Sequence, residues 1–166
     1  IALKALNLIG RWLPDAVFDS QNLNARGAMQ VASCMAGVAF LKGLGLVHSI
    51  SHAIGAEYGT HHGLTNAITL PAVMRFNAPS IRDKCPEISK ALELEGQDFD
   101  DIYDWICRLL DYLEIPKSLD EIGVDKTKVS SLAKRAFSDS ATGTNPRKPE
   151  LEELEVVLRE AISQGR

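Results

Sequence analysis

The 166-residue sequence predicts an all-α fold. Three observations lead there. Apolar residues recur at spacings of three and four along most of the chain, no segment alternates apolar and polar as a half-buried strand would, and Gly or Pro punctuates the runs at helical lengths. One domain is expected over residues 1–166, since a chain of this length can enclose a single core.

The elements follow in order. Residues 1–13 place Leu3, Leu6, Ile9 and Leu13 on one face, and Pro14 is expected to close that helix. A polar connection, 15–24, leads to a helix over about 25–41. There Ala28, Ala32, Ala36 and Ala39 form a row of small side chains that lets backbones approach closely, which predicts a central position. Gly43 and Gly45 break it. A third helix is expected over 46–58, with a turn at Gly59 and Thr60. His62 opens a fourth helix with Pro71 inside as a predicted kink. Phe99, Ile102, Ile106, Leu109, Leu110 and Leu113 mark the buried stripe of another, ending before Pro116. Val129, Leu132, Ala136 and Phe137 mark the next. Leu151, Leu154, Leu158 and Ile162 mark the last, with Pro149 near its first turn.

From Gly27 to Arg82 the only charged residues are Lys42, Glu57, Arg75 and Arg82. Helices without a polar face are buried on more than one side, so this stretch is expected at the centre of the domain or against a partner domain. The helices after Asp83 have ordinary polar faces and are expected outside it. A net charge of -4 opposes nucleic-acid binding, which needs an excess of Lys and Arg. No apolar run is long enough to span a bilayer. The three cysteines, Cys34, Cys85 and Cys107, are widely spaced and form no Cys-x-x-Cys pair, which favours a reducing, cytoplasmic setting. The start lacks Met and reads as the middle of a helix, so the chain is expected to be a piece of a longer one.

All four histidines lie within residues 48–62: His48, His52, His61 and His62. His48 and His52, four apart, project from one helix face. His62 follows a glycine turn that can fold the next helix back towards them. Two or three converging imidazoles suit iron, zinc, cobalt or nickel better than calcium or magnesium. The competing reading is a set of hydrogen-bonded structural histidines. His61 neighbours His62 but points elsewhere. A His-Glu-x-x-His zinc-protease site is excluded because Ser49 stands where the Glu is required. Glu57, out of phase with the pair, is expected to point away, so a closed four-ligand site cannot come from this segment alone.

The segment GLGLVHSISHAIGAEYGTHHGLTNAITLPAVMRFN resembles the signature region of the iron-containing (group III) alcohol dehydrogenases. The anchors are Gly43, Gly45, His48, His52, Gly55, His62, Gly63, Asn66, Ala67, Pro71 and Asn77. The preceding helices and the terminal SATGTNPRKPELEELEVVLREA extend the resemblance over nearly the whole chain. It implies the C-terminal helical-bundle domain of the dehydroquinate synthase-like architecture. The α/β domain that binds NAD(P), with its Gly-Gly-Gly-Ser loop, is expected outside this chain. His48 and His62 would be two metal ligands, to Fe2+, Zn2+ or another divalent ion, and an Asp-x3-His helix elsewhere would supply the others. His52 would lie near the nicotinamide, serving in proton transfer or cofactor positioning.

The resemblance further implies a parent enzyme that transfers hydride between a small alcohol and NAD(P), and a homo-oligomer. The 138–147 loop is expected either to shape the substrate pocket or to be a polar turn. Two other readings stand beside this one: a glycerol dehydrogenase or dehydroquinate synthase-like relative, and a non-catalytic helical remnant or interaction module.

Overall fold

A computed structural model describes all 166 residues, and it is helical without strands. By its internal contacts the chain divides into two compact units. The first comprises residues 1–42 and 82–105, the second residues 43–81 and 106–166. No single helix is long and apolar enough to cross a membrane.

In the first unit, α1 (Ala2–Phe18) packs along α2 (Leu23–Ala39) and against the short α5 (Cys85–Ala91). Pro14 does not end α1 but lies inside it. Losing one N–H leaves the remaining hydrogen bonds in place, and the helix stops at Asp19, whose N–H still reaches Asp15 O at 2.9 Å. Asn22 caps α2 by accepting the Ala25 N–H at 3.0 Å. Gly10 sits where a Cβ would come within 3.2 Å of Leu92 and 3.3 Å of Trp105, so its missing side chain makes that approach possible.

The prediction that α2 is central fails. Only Ala25 and Ala32 are buried, whereas Val31 and Val38 are about half exposed. The small-residue row seats α2 against α1 and leaves its other faces open. Scarcity of charge therefore does not bury α2 within this chain.

In the second unit, α3 (Leu46–Tyr58) and α4 (His62–Ile81) form a hairpin through Gly59, which takes the left-handed conformation at φ 65°. Helix α4 continues past both Pro71 and Pro79. Helix α6 (Phe99–Tyr112) runs from the first unit into the second. Helices α7 (Val129–Phe137) and α8 (Leu151–Ser163) complete the unit. Its core unites Leu46, Ile50 and Ile54 with Ile68, Val73, Leu132, Leu154, Leu158 and Ile162. Helices α7 and α8 thus share the core with the histidine helices instead of forming an outer layer. Phe137, assigned to the buried stripe, is 44% exposed.

Candidate functional site

Helix α3 begins at Gly45, which has no side chain to satisfy the first helical N–H groups. The cap comes from the 138–147 loop. Thr144 Oγ1 accepts the Gly45 N–H at 3.2 Å, and Asn145 Oδ1 accepts the Leu46 N–H at 3.0 Å. Asn145 is held in turn by a reciprocal amide pair with Asn77 of α4, at 2.7 and 3.2 Å, and by a bond to Arg147 O at 2.6 Å. The Arg147 guanidinium lies over the Phe76 ring, donates to Phe76 O at 3.1 Å, and pairs with Glu153. Thr142 Oγ1 adds a buried contact, 2.7 Å from Ser49 Oγ. The loop therefore fixes the start of the histidine helix. Gly43 and Gly45 permit the approach: a Cβ on Gly43 would lie 2.3 Å from Thr144 Cβ, and both glycines have positive φ.

Three of the four histidines come together. Ring centroids are 5.2 Å apart for His48 and His62, 5.6 Å for His52 and His62, and 6.0 Å for His48 and His52. His61 turns away. It sits at the start of α4, where its Nδ1 accepts the Leu64 N–H at 3.3 Å. Glu57 points elsewhere too, pairing with Lys128 and Arg135 at 3.4 and 3.0 Å.

Proton counting on the surrounding groups favours one pair of tautomers. The Leu44 carbonyl accepts a hydrogen bond from the His48 ring, and only a ring N–H can supply it. Ser51 Oγ lies 3.1 Å from His48 O and 3.2 Å from His62 Nδ1, and when its one hydrogen goes to the carbonyl its oxygen accepts from His62 Nδ1–H. In the tautomers that carry the proton on Nδ1, both Nε2 atoms are acceptors. They face one group, the Asn66 amide nitrogen, at 3.4 Å from His48 and 3.1 Å from His62. Burial lowers the His48 pKa below its ordinary value. The neighbouring His62 and His52 lower it further, against weaker opposing pulls from the Leu44 carbonyl and Asp139.

His52 faces a residue that sequence reasoning missed. Its Nδ1 lies 3.0 Å from Asp139 Oδ2, while Asp139 Oδ1 accepts the Ala141 N–H at 2.8 Å. Burial alone would raise the Asp139 pKa. The Ala141 N–H and His52 outweigh it and hold the carboxyl below its usual range. Asp139 lies 87 residues from His52, and no local spacing could signal the pair.

In those tautomers the two Nε2 atoms face one group while the rings are tied to a carbonyl and a hydroxyl oxygen, which matches the way imidazoles are held when they ligate a first-row metal. The donor chemistry fits such an ion. Within this chain, His, Cys, Asp and Glu form no group of three or more arranged to hold one.

Residues 1–162 match the family described as "Fe-containing alcohol dehydrogenase family, C-terminal". The chain belongs to that family. Within it, the chain is 37% identical over 155 residues to the "Probable alcohol dehydrogenase EutG" of Escherichia coli (strain K12), covering 93% of this chain and 39% of the relative. It is 36% identical over 171 residues to the NAD-dependent methanol dehydrogenase of Bacillus methanolicus, covering 97% and 44%. Its fold superposes on the crystal structure of a 1,3-propanediol oxidoreductase with a TM-score of 0.92 at 34% identity, covering 96% of this chain and 44% of the other. The chain thus spans about two-fifths of the length of the family members it matches.

Proposed function

We propose that this chain is the metal-holding helical part of an iron-type alcohol dehydrogenase that uses NAD(P). His48 and His62 supply two of the ligands to Fe2+, Zn2+ or a similar divalent ion. The convergence of their Nε2 atoms carries the reading. Further ligands and the dinucleotide-binding part come from outside this chain, in keeping with the share of its relatives that the chain spans. When bound, the divalent cation stabilises the negative charge that develops on the alcohol oxygen as hydride leaves for the nicotinamide.

The chain's own residues do the rest. Leu44 O and Ser51 hold the two ligand rings in the metal-binding tautomer. Asp139 accepts from His52 Nδ1–H, which leaves His52 Nε2 free to take the hydroxyl proton and pass it outward. The Thr144–Asn145 cap fixes the helix that carries both His48 and His52. By itself the chain oxidises no alcohol on this reading.

The test is metal binding by the complete protein, followed by equilibrium dialysis. His48→Ala and His62→Ala lose the ion, and His61→Ala keeps it. Equal losses from all three substitutions refute the ligand assignment. Alcohol oxidation by the 166-residue chain alone would favour a self-sufficient enzyme over the partial site.

A further inference from the structure

The two Nε2 atoms do not face open space. Asn66 Nδ2 stands between them, and its two hydrogens match the two acceptors one for one. On the other side of the same amide, Oδ1 is buried and has no hydrogen-bond partner. Buried carbonyl oxygens are rarely left so, and the orientation is therefore set by the N–H side alone. Asn66 shares α4 with His62, one turn further on, so its amide needs no long-range support to reach the pair.

We infer that Asn66 is a placeholder for the cation. In the metal-free protein its amide N–H groups occupy both imidazole acceptors, and metal entry displaces them. A divalent ion bonds imidazole nitrogen at about 2.0–2.1 Å along the lone pair that Asn66 now engages. Amide and ion cannot both use those lone pairs. The ring contacts to Leu44 O and Ser51 Oγ favour the ligating tautomers without help from Asn66, so Asn66 is a competitor and is not needed to prepare the rings. Its orphaned carbonyl makes the metal-free arrangement the less satisfied of the two and the amide easy to move.

This inference rests on the reading of His48 and His62 as ligands, and one titration separates the two. The complete protein is stripped with a chelator and titrated with cobalt(II), read by its visible absorption and by competition with a chromophoric chelator. Asn66→Ala is expected to bind cobalt(II) about three- to tenfold more tightly, the worth of one or two modest hydrogen bonds no longer broken on entry. A residue that merely supported the site would give the opposite sign. Should the alanine variant fail to fold, Asn66→Ser, too short to reach both rings, takes its place with the same expected tightening. Unchanged or weaker binding overturns the placeholder. If His48→Ala and His62→Ala leave cobalt(II) binding intact, the ligand reading itself fails. If they abolish it while the Asn66 variants bind no tighter, only the placeholder is refuted.

Discussion

Replacing Asn145 with alanine removes the cap of α3 from a residue 99 positions away. Asn145 is 7% exposed, Asn77 8% and Leu46 0%, so water cannot readily replace the lost partners. The Leu46 N–H loses its acceptor, a helix-cap deletion of about 1 kcal/mol. The Asn77 side chain loses both halves of its amide pair, and a buried polar group stranded in this way costs about 1–3 kcal/mol. The sum is about 3 kcal/mol, a sizeable part of the roughly 5–15 kcal/mol that holds an ordinary domain. For a chain of this size that lowers Tm by about 6–12 °C. Urea denaturation followed by circular dichroism at 222 nm measures the loss directly. A loss below about 1 kcal/mol would mean that the 138–147 loop merely lies beside the histidine helix, and the argument that it fixes the helix start would fall.

Two further substitutions test the same region. Gly43→Ala is expected to destabilise by about 2–4 kcal/mol, from a positive φ of 105° and a Cβ within 2.3 Å of Thr144. Gly37→Ala, in the interior of α2 with nothing within 4 Å, is expected to stabilise by up to about 1 kcal/mol in the same urea titration. Asp139→Asn tests the carboxylate by pH. Because its folded pKa lies below 3.8, Asp139 contributes stability that is present above that value and lost as pH falls through the folded value. Thermal melts of the two proteins should therefore differ at pH 6 and converge towards pH 3. A constant gap across that range would mean that ionised Asp139 is not the stabilising form.

Much of this fold was legible because its punctuation is local. Helix α3 runs over the expected Leu46–Tyr58, since Gly45 and Gly59 both take positive φ at its ends. Helices α6 to α8 follow their apolar stripes. Helix α5 escaped notice because a seven-residue helix with the single large aliphatic residue Ile88 has too little length to show a period. Pro14 misled because a proline weakens a helix without always ending it. The site divided in the same way. His48, His52 and His62 could be grouped from spacing on two adjacent helices. Asp139 could not, because its partner is distant in sequence and an isolated acidic residue in a polar loop carries no pattern. Asn145 stood in a visible motif, yet its work as a cap depends on a Leu46 N–H that only the folded chain brings near.

The distance between that cap and its helix also sets an order of events in the cell. A ribosome adds about 5–20 residues per second, so the chain that ends α3 in its finished form emerges roughly 5–20 s after α3 itself. Until then the segment bearing His48 and His52 has exposed its imidazoles but not its permanent anchor. In that interval the first turn of the helix can still fray. The start of the histidine helix is therefore fixed only once Asn145 has been made and has folded back on Leu46.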